Sequence, residues 1–146
     1  MNKTLITFFT ILFCLTSSVG WSLTWDDLVE RNDIFYKKFT DVPFTGKTTG
    51  QVQGTFKNGK EDGSWTAYYV SGQLLFKGNW KNGKKDGSLF NYYQNGQLDS
   101  KGDYKNGKKE GSWVYYHDNG QLFSKGELKN GEKEGSWVTY RDNGQL

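Results

Sequence analysis

"GSWVYYHDNGQLFSKGELKNGEKE", Gly111 to Glu134, decides how this chain folds, because the two stretches before it repeat its plan. Gly87 to Glu110 reads "GSLFNYYQNGQLDSKGDYKNGKKE", and Gly63 to Asp86 reads "GSWTAYYVSGQLLFKGNWKNGKKD". A fixed period of this length is the signature of a repeat architecture, in which each unit buries its apolar surface against its neighbours. Asn58-Gly59, Asn82-Gly83, Asn106-Gly107 and Asn130-Gly131 form one register of turns. Ser71-Gly72, Asn95-Gly96, Asn119-Gly120 and Asn143-Gly144 form a second, and the two alternate at spacings of 13 and 11 residues. Asn-Gly supplies the positive φ angles of a tight hairpin turn. The chain therefore reads as an antiparallel meander with strands of roughly seven to nine residues.

Composition agrees with strands and not with a helix bundle. Hydrophobic residues make up 34%, half of that aromatic, with 19 glycines and a single proline. Rings and β-branched residues suit a half-buried pleated surface, and a disordered chain would be poor in them. Alternation along the first strand of each unit puts Trp65, Leu89, Trp113 and Trp137 at position three. Tyr68, Tyr92, Tyr116 and Tyr140 fall at position six, on the opposite parity, so both faces carry rings. Gly54, Gly78, Gly102 and Gly126 share a face with Phe56, Trp80, Tyr104 and Leu128, and each leaves room for a neighbouring ring. About eight strands give a sheet on the order of 35–40 Å across.

These residues resemble the MORN repeat, in its bacterial variant form. The matching passages are Gly78 to Trp80 followed by Asn82-Gly83 and Gly87, and Tyr115 to Leu122. The resemblance covers Thr45 to Leu146 and implies an all-β fold: an elongated sheet of antiparallel β-hairpin repeats. Bacterial members are often labelled antitoxins of toxin–antitoxin systems, whereas eukaryotic members are associated with membrane attachment, phospholipid contact and scaffolding. The passage "GSWVYY" is also similar to hairpin repeats that bind cell-wall choline or glucans, although the period here is longer.

The ends of the chain differ from its middle. Residues 1–20 carry one charge, Lys3, then an apolar core from Leu5 to Leu15 and the small residues Ser18 and Gly20. That is the layout of a secretory signal peptide cleaved before Trp21, and its core is short for a bilayer span. An exported protein, periplasmic, secreted or attached to the cell envelope, is expected. Cleavage would remove the only cysteine, Cys14, and lower the net charge from +3 to +2, too small an excess for nucleic-acid binding. Residues 21–44 read as an N-terminal cap: a short helix from Thr24, with Trp25, Leu28 and Val29 at helical spacing, then a strand from Ile34 to Phe39. Counting back one period lands on Phe39, so Phe39 to Asp62 reads as a degenerate first unit that overlaps the cap; the repeat region is placed at 45–146, about four units with the last incomplete. Near Leu146 no second cap is visible, so the last edge is expected either to continue into further chain or to pair edge to edge with another chain.

Catalysis finds little support. "DVPFTGKT" (Asp41 to Thr48) lacks the first glycine and the following helix of a phosphate-binding loop, and "NGKKDG" (Asn82 to Gly87) puts lysine where a calcium loop needs a carboxylate. His117 is the only histidine and reads as a solvated strand end, without a partner for metal binding or nucleophile activation. Asp62, Asp86, Glu110 and Glu134 recur at the repeat period, which fits a structural rule better than a catalytic pair with split pKa values. No cofactor is implied. Two surfaces remain as candidates for a partner. The aromatic one comprises Trp65, Tyr68, Tyr92, Trp113, Tyr116, Trp137 and Tyr140; the basic rim comprises Lys81, Lys84, Lys85, Lys105, Lys108 and Lys109. The expected function is a non-enzymatic binding or scaffold module for a protein partner. The alternatives are anionic lipid at the lysines, cell-wall glycan at the rings, or an antitoxin-like neutralising contact.

Overall fold

The structure, a computed structural model, describes residues 23–146. The signal segment at 1–20 and its cleavage point lie outside the described residues. A single turn of 3-10 helix, Trp25–Asp27, leads into a two-stranded ribbon of β1 (Leu28–Arg31) and β2 (Ile34–Lys37). The main sheet comprises β3 (Gly46–Thr48), β4 (Val52–Lys57), β5 (Lys60–Glu61), β6 (Gly63–Tyr68), β7 (Leu74–Lys81), β8 (Lys84–Tyr92), β9 (Leu98–Lys105), β10 (Lys108–Tyr116), β11 (Leu122–Lys129) and β12 (Glu132–Thr139). From β6 to β12 every strand pairs antiparallel with the next; β4 bonds to β3, β5 and β6. The meander is an open sheet, not a closed barrel.

The two turn registers are built differently. Asn82 and Gly83 both have positive φ (51° and 79°), as do the three equivalent pairs, which gives the two-residue turn expected of Asn-Gly. In the second register only the glycine does: Gly72, Gly96, Gly120 and Gly144 lie at 80–85° while the residue before each is not left-handed. Gly72 N–H donates to the Tyr69 carbonyl (2.9 Å) and Tyr69 N–H to that of Gln73 (2.8 Å). This is a three-residue loop closed by a glycine bulge, and it accounts for the alternation of 13 and 11.

The N-terminal segment departs from expectation. In place of a helix over Thr24 to Asn32, the Asp27 carboxylate accepts from Thr24 N–H (2.7 Å) and Oγ1 (3.0 Å), closing one 3-10 turn. Asn32 and Asp33 then both adopt left-handed φ and turn the chain back as a hairpin. Burial drives that choice: Leu28 and Phe35, on facing strands, both enter the core. β2 stops at Lys37, and Phe39 stands fully exposed with φ 65°. The first repeat unit is shortened as well, since Thr48 and not Asp41 pairs with Gly54.

Position three fills one face of the sheet. Trp65, Leu89 and Trp113 are buried there, together with Phe56 and Leu128. Each of these residues at position three pairs across the ladder with the glycine of its own hairpin and lies over that of the preceding one. A Cβ on Gly102 would fall inside the van der Waals envelope of the Trp113 ring, and one on Gly54 inside that of Trp65. The rings thus use the glycine row as a floor, as the sequence pattern anticipates.

Candidate functional site

The face that carries Trp65 and Trp113, here the ring face, is covered in two different ways along its length. Over the first strands, the β1–β2 ribbon lies on it. Trp25 sits 5.1 Å from Phe35, 6.0 Å from Phe56 and 5.9 Å from Trp65 between ring centroids, and Leu28 and Phe35 complete that cluster. Over the later strands no backbone of the described residues forms such a ribbon. There Trp113 is enclosed by Tyr104 edge-on (5.3 Å), by Tyr115 stacked beside it (5.8 Å) and by the Lys109 ammonium 4.1 Å above its ring. Tyr115 continues to Trp137 at 6.1 Å, and Lys133 stands 4.5 Å above that ring. Cation–π contacts of this kind are worth about 0.5–2 kcal/mol each.

The candidate basic rim therefore divides. Lys81 pairs with Lys84, and Lys105 with Lys108, across the Asn-Gly turns, and all four are exposed. Alternation turns Lys85 and Lys109 to the ring face, where they are half-buried. Lys85 lies over Tyr104 at 5.1 Å and Trp80 at 5.8 Å; burial, and then the charge of Lys109, push its pKa down. Lys109 also donates to the Tyr115 hydroxyl (2.8 Å). The acids beside these lysines are engaged elsewhere. Asp86 accepts from Asn106 N–H (3.1 Å) and Glu110 from Asn130 N–H (2.9 Å), each bracing the next turn. Among the described residues the ion pairs are Arg31–Asp41 and Lys129–Glu134, so the ammoniums on the ring face have aromatic neighbours and no carboxylate within ion-pair distance.

The aromatic candidates divide too. Trp65 and Trp113 are buried, and Trp137 on the same face is half-buried. Tyr68, Tyr92, Tyr116 and Tyr140 are half-buried near the second set of turns, where the first three pair with Leu74, Leu98 and Leu122. A ladder beside them was not anticipated. Tyr69 donates its hydroxyl to the Tyr92 carbonyl and Tyr93 to that of Tyr116, each at 2.7 Å. His117 takes the same place one unit later, with Nε2 at 3.1 Å from the Tyr140 carbonyl and its ring edge-on to Phe123 at 5.0 Å. The histidine is a half-buried rung of this ladder, not a solvated end. The signal was the recurrence of an aromatic residue at 69, 93 and 117.

Among the described residues no three His, Cys, Asp or Glu side chains gather to hold a metal ion. No described helix is long and apolar enough to cross a membrane. The repeat pattern itself identifies the domain: residues 61–82, 85–106 and 109–130 each match the family described as the MORN repeat variant. Residues 61–130 thus carry three MORN-type repeats. Each match spans one hairpin with its loop, so the family unit coincides with β6–β7, β8–β9 and β10–β11. MORN repeats are typically non-catalytic scaffolds, and this domain is read as one. No curated protein matches the chain.

Proposed function

We propose that this chain is a non-enzymatic interaction module, exported to the cell envelope, that presents its repeat sheet to a protein partner. The observation that carries the reading is the later part of the ring face. Tyr104, Tyr115 and Trp137 remain half-exposed there beneath lysines that have no carboxylate partners. Aromatic side chains are enriched in protein interfaces, whose rims are polar and solvent-accessible. Export rests on the Lys3 and Leu5 to Leu15 layout of the leader.

A second reading has its own support: Tyr115 and Trp137, half-exposed side by side, are a stacking platform of the kind a glycan uses, and the lysines offer charge to anionic lipid. Capture from an envelope extract by the immobilised chain, at low and at high salt, separates these readings. One protein retained at high salt is the expected result. Lipid retained only at low salt would move the function to the lysines, because exposed charge pairing is screened. Glycan retained at both would move it to the rings, and retention of nothing would end the interaction reading.

A further inference from the structure

The chain's own cap shows what the ring face accepts. Over Trp65 the covering group is Trp25, from a ribbon that also brings Leu28 and Phe35 into the core. Over Trp113 the covering group is the ammonium of Lys109. The repeat position concerned is 61, 85, 109 and 133, and it reads Glu, Lys, Lys, Lys. Glutamate stands under the cap; lysine stands wherever the cap is absent. The cap is also acidic on the side it turns to the sheet: Glu30 and Asp33 share a groove of about 450 Å³ with Lys60, Lys84 and the sheet's own Glu61. A second groove, of about 330 Å³, opens on the uncapped face between Lys109, Tyr115, Leu128, Lys133 and Trp137. Its lysines stand at the repeat position that Glu61 holds under the cap, its rings belong to the sheet itself, and no acidic side chain lines it.

We propose that this second groove receives a segment of a protein partner that is acidic and carries large apolar side chains, the chemistry the ribbon presents to the first strands. The inference rests on the interaction reading above and names the partner's chemistry. Lys109 and Lys133 act as a displaceable cover. They leave the rings to pair with the partner's carboxylates, and an aromatic or aliphatic side chain takes the space over Tyr115 and Trp137. The exchange replaces a half-hydrated cation on a ring by a direct ion pair and a buried apolar contact.

The probe is a synthetic peptide of Thr24 to Lys37, "TWDDLVERNDIFYK", with four acids against two basic residues. It is titrated into the isotope-labelled full chain while the Tyr115, Trp113 indole and Trp137 indole signals are followed. Shifts confined to those groups are expected. Lys109→Met with Lys133→Met, which keeps the apolar stems, is expected to weaken binding about tenfold. A peptide with Leu28 and Phe35 replaced by serine is expected to lose it. Equal affinity in the lysine variant, or no binding, overturns the inference. So do shifts at Phe56 and Trp65 alone, which would report exchange with the cap, or at Thr66, Phe90 and Val114, which lie on the opposite face. Phosphatidylglycerol vesicles or a chitin oligosaccharide moving the same groups, where the peptide does not, would reassign the groove and overturn it as well. A photo-cross-linker at Phe123, and another at Thr66, distinguishes the two levels of failure. A captured protein cross-linked only from Thr66 removes this inference and leaves the interaction reading standing; no captured protein removes the reading itself.

Discussion

The capped and uncapped parts of the ring face are built from one repeat yet meet the solvent differently. Under the β1–β2 ribbon, Trp65 lies against Trp25 and Phe56 and is 3% exposed. Two units later Trp113 is 0% exposed without any ribbon. Its burial comes from Tyr104, Tyr115 and the stem of Lys109, since long basic side chains cover apolar surface while the charge stays near water. One difference of polar pairing accompanies this. Trp113 donates its indole N–H to the Asp103 carbonyl (3.1 Å), and Trp137 donates to that of Glu127 (3.1 Å). The buried indole N–H of Trp65 has no acceptor. The capped part gains apolar cover and loses a hydrogen bond. A repeat can therefore be closed either by a separate ribbon or by its own lysines, and the second closure is lifted by side-chain rotation alone.

The largest test of this equivalence is truncation of the rings. Trp113→Ala is expected to cost about 3–5 kcal/mol, the usual penalty for emptying a buried aromatic site. Trp137→Ala, at a half-buried position, should cost less than about 3 kcal/mol. Urea denaturation of both variants measures the difference, and equal costs would mean that Lys109 and Tyr115 do not shield Trp113 as described. Next in size is Gly102→Ala, where the added methyl meets the Trp113 ring and overpacking costs about 1–3 kcal/mol. Combined with Trp113→Ala the penalty should largely vanish, because the ring that creates the clash is gone. Additive costs in that double variant would place the strain in the backbone and not in the ring.

A smaller effect tests the rungs between units. Tyr93→Phe removes the hydroxyl bond to the Tyr116 carbonyl and should cost about 1 kcal/mol. His117→Tyr is expected to change stability by less than about 0.5 kcal/mol, since a tyrosine at this position has the geometry that Tyr69 and Tyr93 already use. A loss of more than that from His117→Tyr would show that the contact with Phe123, and not the rung, fixes this residue.

These contrasts mark how far the sequence can be read unaided. The strands, the Asn-Gly turns and the ring-over-glycine packing were legible because each depends on local chemistry: left-handed φ at Asn82 and Gly83, alternation at Trp113, a missing side chain at Gly102. The cap was not. Trp25, Leu28 and Val29 have the spacing of a helix, but Asn32 and Asp33 make a hairpin that buries both Leu28 and Phe35, so tertiary burial overrode local periodicity. The lysines were legible as a row and not as two rows, because the strand pairing that places Lys85 opposite Trp80 also places Lys84 opposite Lys81. The function of the rings was the least legible part. Whether a ring is core or surface depends on what crosses over it, and the ribbon that crosses Trp65 comes from a segment some forty residues away.

The last prediction concerns Glu61, the one member of its repeat position that is acidic. It sits half-buried in the groove beneath the ribbon, where burial raises its pKa above the ordinary 4.5 and the nearby Glu30 adds to the rise. A carboxyl whose folded pKa is raised binds its proton more tightly when folded. Its contribution to stability is then complete below the unfolded pKa and is lost as pH rises through the folded one. At neutral pH the ionised group therefore opposes folding, and Glu61→Gln should raise stability by less than about 1 kcal/mol, since half of the side chain remains in water. Thermal melts of both chains at pH 7 and near pH 4 provide the check. The gain should be present at pH 7 and shrink at pH 4, where wild-type Glu61 is protonated in the folded protein. A gain of equal size at both values would attribute the effect to packing. A loss at pH 7 would mean that the carboxylate pairs with Lys60 or Lys84 in solution, and that the capped groove, like the uncapped one, is held mainly by its cations.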